Sequence, residues 1–186
     1  MTSPSANAAF RRMYDMYFAD VLAYCLRRAS TEDAKDAVAD VFLVAWRRFD
    51  DMPNGERVLP WLYGTARRVL ANQRRSRSRF ARLTDRLRST APEPEHVPTP
   101  ETIVVRNQRS QEVLDALEHL RPDDREVVRL VMWEGLPHAA VGEVLGCSDR
   151  AVTMRLHRAV GRLRSELHTS DNGSLDVSSG TEAADE

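Results

Sequence analysis

The chain has 186 residues, 30% of them charged and 42% hydrophobic, and a net charge of −1, which fits one globular domain or two small ones. No apolar run nears the eighteen or so residues of a membrane span, and the polar start MTSPSANAAF does not read as a signal peptide. Cys25 and Cys147 have no CxxC partner, the histidines have no metal-ligand spacing, and there is neither a phosphate loop nor a nucleophile elbow. The expectation is therefore a cytoplasmic protein without metal or cofactor, and not an enzyme.

Apolar spacing of three to four residues runs throughout, so the predicted class is all-α, with no internal repeat. Two small helical domains are expected over residues 8–87 and 105–168. Between them, residues 88–104 form a Pro-rich linker around TAPEPEHVPTPET, and residues 169–186 form an acidic tail expected to be disordered. The near-zero net charge conceals two basic blocks. Residues 51–89 carry ten arginines against Asp51, Glu56 and Asp85, and residues 147–168 carry five against Asp149 and Glu166. Lys35 is the only lysine, and two arginine-rich blocks in a neutral chain point to two separate polyanion contacts.

In chain order, the first informative segment is 33–49, DAKDAVADVFLVAWRRF. A helical wheel buries Ala34, Ala37, Val38, Val41, Phe42 and Ala45 and turns Asp36, Asp40, Leu43 and Arg47 outward. Leu43 framed by two acids and an arginine is either a small docking patch with an apolar centre or a stray surface leucine. The following helix, 59–75, interleaves Trp61 and Tyr63 with Arg67, Arg68, Arg74 and Arg75. Aromatics among arginines suit melted DNA, where bases stack and phosphates pair; Trp61 serves equally well as a core residue.

Residues 136–167 have the layout of a helix-turn-helix. Pro137 fits the first turn of a helix ending at Leu145, Gly146 supplies a left-handed turn residue, and Ser148 caps the next helix. Gly142 leaves room where the two helices cross. On the second helix Val152, Leu156, Ala159, Val160 and Leu163 form the core face, Arg150, Met154, His157 and Arg158 point outward, and Thr153 and Arg155 lie on the flanks. Met154 among arginines suits a major groove, where Arg reads guanine and an apolar tip meets a thymine methyl. The plainer alternative is a basic helix whose arginines are merely solvated, and His157 touches either a phosphate or nothing.

Together the segments DAVADVFLVAWRRF, WLYGTARRVLANQRR, LRPDDREVVRLVMWEGL and AVTMRLHRAVGRL, in this order, resemble an extracytoplasmic-function (ECF) RNA polymerase sigma factor of the primary bacterial sigma family. The resemblance covers region two, roughly residues 10–79, and region four, residues 113–167. It implies that the protein binds core RNA polymerase and directs it to a promoter. Region two docks on the clamp helices of the largest subunit, which maps onto Asp36, Asp40, Leu43 and Arg47. It melts the −10 element with Trp61, Tyr63, Arg67, Arg68, Asn72, Arg74 and Arg75, and it captures a flipped base in the loop at 50–58. Region four contacts the polymerase flap and reads the −35 element through Ser148, Arg150, Thr153, Met154, Arg155 and Arg158. The linker follows the active-site cleft and RNA exit path, its glutamates opposing basic walls. An anti-sigma factor is an implied partner; membrane insertion is not. The chain departs from the common pattern at Ala39, Arg68 and Asn72, where many members have Gln, Asn and Asp, so no promoter preference is carried over.

Three other readings compete, the last of them a helical enzyme, which lacks any constellation of acid, base or metal ligands. A stand-alone helix-turn-helix regulator leaves the WLYGTARR block unexplained, and a helical adaptor using only the Leu43 patch leaves the outward Arg and Met residues of the last helix unexplained.

Overall fold

The structure, a computed structural model, describes residues 4–87 and 108–175, and all regular structure among them is helical. The predicted linker at 88–104 lies outside the described residues. The chain divides into two compact units, one carrying the first three helices and the other the last four.

In the first unit α1 spans Pro4–Leu26, α2 Thr31–Arg47 and α3 Val58–Leu87, and each helix packs on the other two. Helix α2 begins where the sequence supplies a cap: the Ser30 hydroxyl accepts from the Asp33 N–H at 3.3 Å and donates to the Asp33 carboxylate at 2.8 Å. Such a cap is worth about 1 kcal/mol, and Glu32 and Asp33 in the first turn complement the helix dipole. All six residues that the wheel turned inward, Ala34, Ala37, Val38, Val41, Phe42 and Ala45, are buried. Four more core positions come from α3: Leu62, Tyr63, Ala66 and Leu70.

Asp33 is buried as well, at a real desolvation cost. Its carboxylate is ion-paired with Arg77, so the start of α2 is tied to the far half of α3. Two short 3-10 turns, Phe49–Asp51 and Gly55–Arg57, lead from α2 into α3. Helix α3 runs past the expected end at Arg75 as far as Leu87, because nothing in the arginine-rich stretch breaks it.

In the second unit α4 spans Gln108–His119, α5 Pro122–Met132, α6 His138–Leu145 and α7 Asp149–Leu175. Leu117, Leu120, Val128 and Ala159 form a buried cluster, with Leu156 and Leu163 packed against it. Pro122 opens α5, where its missing N–H costs nothing. Asp124 in that first turn is buried and accepts a hydrogen bond from Arg162 of α7 at 3.5 Å. Val160, expected in the core, is 38% exposed. It sits at the edge of the apolar arc, about 70° from the mean direction of Val152, Leu156, Ala159 and Leu163. Helix α7 continues through residues 169–175, into the segment expected to be a disordered tail; residues 176–186 lie outside the described residues.

The α6–α7 corner is built as a helix-turn-helix. Gly146 ends α6 at φ 67°, ψ 38°, a left-handed conformation natural to glycine. A Cβ on Gly142 would lie 2.6 Å from the Cys147 carbonyl oxygen, so only glycine fits beneath the turn. The Cys147 N–H donates to the Gly142 carbonyl at 3.0 Å, and the Ser148 hydroxyl accepts from the Ala151 N–H at 3.2 Å, capping α7. Pro137 stands just before α6 as its cap residue rather than inside the first turn.

Candidate nucleic-acid and polymerase interfaces

The outer face of α2 carries Asp36, Asp40, Leu43 and Arg47 at helical spacing, all exposed, with Leu43 at 45%. One helical turn beyond Leu43 stands Trp46, 36% exposed and braced edge-on by Phe10, their ring centroids 4.8 Å apart. The apolar part of this surface is therefore Leu43 together with a held tryptophan that stands about 60° round the helix from it, away from the charged residues. Sequence reasoning passed over Trp46, although its position three residues after Leu43 was the available signal.

On α3 the seven residues expected at melted DNA separate into three groups. Trp61, Arg68, Asn72 and Arg75, joined by Arg79, recur at spacings that place them within about 60° of arc on one stripe. Trp61 is half-buried, and Arg68, Asn72, Arg75 and Arg79 are exposed. In the free protein the Asn72 side-chain carbonyl accepts from the Arg75 guanidinium. Arg67 and Arg74 lie to one side of the stripe, and Arg74 lines a shallow cleft with Arg28, Asp33, Leu70, Gln73 and Arg77.

Tyr63 does not belong to the surface. It is 3% exposed and stacks on Tyr24 of α1, with centroids 4.7 Å apart and planes 18° from parallel. The Arg28 guanidinium lies 3.6 Å from the centroid of the Tyr24 ring. A base cannot reach Tyr63 without displacing α1, so the expectation that it stacks on DNA is corrected: it is a core residue.

The third surface is the first half of α7. Ser148, Arg150, Thr153, Met154 and Arg158 are all exposed, Met154 at 57%. Arg158 donates from Nε to the Met154 carbonyl at 3.3 Å, which fixes the base of its side chain along the helix. Arg155 is half-buried, with the Asp123 carboxylate of α5 at 3.9 Å, a contact that holds the side chain on the flank of the exposed face. A methionine standing this far into solvent between arginines gives the surface both guanidinium forks and an apolar tip. The sequence also passed over His138 at the start of α6, whose Nδ1 lies 3.0 Å from the Thr153 hydroxyl oxygen.

Among the described residues no group of three or more His, Cys, Asp or Glu side chains is arranged to hold a metal, and no helix is long and apolar enough to cross a membrane.

Comparison with known families accounts for both units. Residues 13–80 match the family described as Sigma-70 region 2, and residues 110–163 match Sigma-70, region 4. The ECF RNA polymerase sigma factor SigL of Mycobacterium tuberculosis is 31% identical over 86% of this chain and 89% of its own length. The RNA polymerase sigma factor NccH of Alcaligenes xylosoxydans xylosoxydans is 28% identical over 91% of this chain and 99% of its own. The fold is shared with the sigma factor RpoE, solved with the anti-sigma factor NepR from Bartonella quintana: TM-score 0.64, 24% identity, 86% of this chain and 97% of that one. It is shared also with CnrH, solved with the cytosolic domain of CnrY: TM-score 0.58, 24% identity, 88% and 90%. A stand-alone helix-turn-helix regulator has no use for a region 2 unit, and that reading falls away. With regions 2 and 4 both present, the chain belongs to the ECF RNA polymerase sigma factors, which bind core polymerase and direct initiation at specific promoters.

Proposed function

We propose a residue-level division of labour between the two units. The α2 face of Asp36, Asp40, Leu43 and Arg47, extended by Trp46, docks on the clamp helices of the largest polymerase subunit. Its apolar centre and charged rim have the composition of a small protein interface. The α3 stripe of Trp61, Arg68, Asn72 and Arg75, with Arg67 and Arg74 at its side, holds the melted −10 strand, and the loop at 50–58 receives a flipped base. Ser148, Arg150, Thr153, Met154, Arg155 and Arg158 read the −35 element as duplex in the major groove, while region four also meets the polymerase flap. An anti-sigma factor binds the free protein, as NepR does RpoE, and the setting is the cytoplasm, where core polymerase works.

The observation that carries this reading is the placement of two exposed arginine surfaces on two different units, one beside a tryptophan and one on the second helix of a helix-turn-helix. The test separates them. On a forked promoter template with a single-stranded −10 element and no −35 duplex, holoenzyme carrying Arg150→Ala binds as the unaltered protein does, whereas Arg68→Ala with Arg75→Ala weakens binding. On intact duplex promoters both sets weaken initiation. An α7 variant impaired on the fork, or an α3 variant unimpaired there, contradicts the assignment.

A further inference from the structure

His138 of α6 and Thr153 of α7 meet side chain to side chain at the helix-turn-helix corner. The Thr153 hydroxyl lies 3.1 Å from the Asp149 carbonyl oxygen and donates to it, since a carbonyl has no proton to give. The same hydroxyl oxygen lies 3.0 Å from His138 Nδ1. When that proton is given to the carbonyl, the oxygen can only accept, and His138 is then the donor, with its proton on Nδ1. Thr153 is thereby held from both sides, by its own helix and by α6. What remains to face the groove is a methyl group and one acceptor lone pair.

We propose that His138 is a positioning residue for base recognition: it fixes the Thr153 hydroxyl so that Thr153 meets the DNA as a methyl group and an acceptor, and not as a hydrogen-bond donor. This rests on the reading of α7 as the −35 helix. The base edges that suit such a side chain are a thymine methyl, or the amino group of adenine or cytosine. Guanine, which offers only the acceptors O6 and N7 in the major groove, is disfavoured. His138 touches no base in this account and acts through Thr153.

The experiment uses holoenzyme assembled from the full chain and bacterial core polymerase, on promoters in which each −35 base pair is varied in turn. Thr153→Ala and His138→Ala are both expected to relax discrimination at the same single base pair, by about fivefold, leaving the other positions unchanged. Asn places its side-chain N–H where Nδ1 stands, so His138→Asn restores the preference. Gln reaches the Nε2 position instead, so His138→Gln does not. The proposal is overturned if Thr153→Ala shifts a preference that His138→Ala leaves intact, if His138→Ala weakens all sequences uniformly, or if Gln rescues and Asn does not. A holoenzyme indifferent to every −35 substitution overturns the underlying −35 reading as well, and Arg150→Ala distinguishes the two failures: it still shifts a preference if only the His138 step is wrong.

Discussion

Trp61 and Tyr63 stand two positions apart on α3 and meet different surroundings. Interleaving with arginines marked both as base-stacking candidates, yet Tyr63 is closed in by Tyr24 of α1, whereas Trp61 keeps part of its ring at the surface. The difference lay in a partner some forty residues away in the chain, which a local pattern does not contain. Tyr63→Ala should lower stability by about 3–5 kcal/mol, the cost of emptying an aromatic core site, with thermal melting as the check. Near-unchanged stability would return Tyr63 to the surface. On α2 the inward face was legible, because Ala34, Ala37, Val38, Val41, Phe42 and Ala45 follow one clean 3.6-residue period, whereas buried Asp33 and the exposed Trp46 were not read from it. Leu43→Ala and Trp46→Ala should each weaken binding to core polymerase by about 1–2 kcal/mol, the range of an interface anchor; Leu43→Ala leaves the melting temperature unaltered, whereas Trp46→Ala also lowers it by removing the Phe10 contact. Titration of labelled core polymerase would show it, and affinities equal to the unaltered protein would remove the docking assignment.

At the scale of elements, the helix-turn-helix was readable because its signals are backbone requirements. Gly146 occupies a left-handed turn, Ser148 caps α7, and Gly142 leaves space under the corner. The structure sharpens the role of Gly142: the obstacle to a side chain is the backbone carbonyl of Cys147, which cannot rotate away as a side chain would. Gly142→Ala is therefore expected to destabilise the second unit by about 1–3 kcal/mol, even though alanine is the better helix former. Denaturant unfolding measures it, and a stabilised variant would show that the turn yields freely. Element ends were less legible. Arginine-rich α3 and the polar end of α7 both continue past their expected limits, because polar residues without proline permit a helix that no apolar face demands. Val160 misled for a related reason, since a wheel gives direction but not the width of the neighbouring helices.

At the scale of the whole molecule, the chain is nearly neutral while two arginine-rich blocks, residues 51–89 and 147–168, fall in the two segments proposed to meet DNA. On the proposed reading the free protein is expected to bind DNA poorly, its two basic surfaces acting together only on polymerase. The two basic blocks themselves are legible in the sequence. The His138–Thr153 contact is not, because it depends on two helices meeting at a corner. The central claim is that this chain alone converts core polymerase into a promoter-specific enzyme. The most direct measurement is run-off transcription by purified bacterial core polymerase on sheared genomic DNA from the source organism, with and without the protein. Discrete new transcripts whose start sites share a −10 and a −35 element are the predicted result. A transcript pattern identical with and without the protein, under conditions where it is bound to polymerase, would contradict the account.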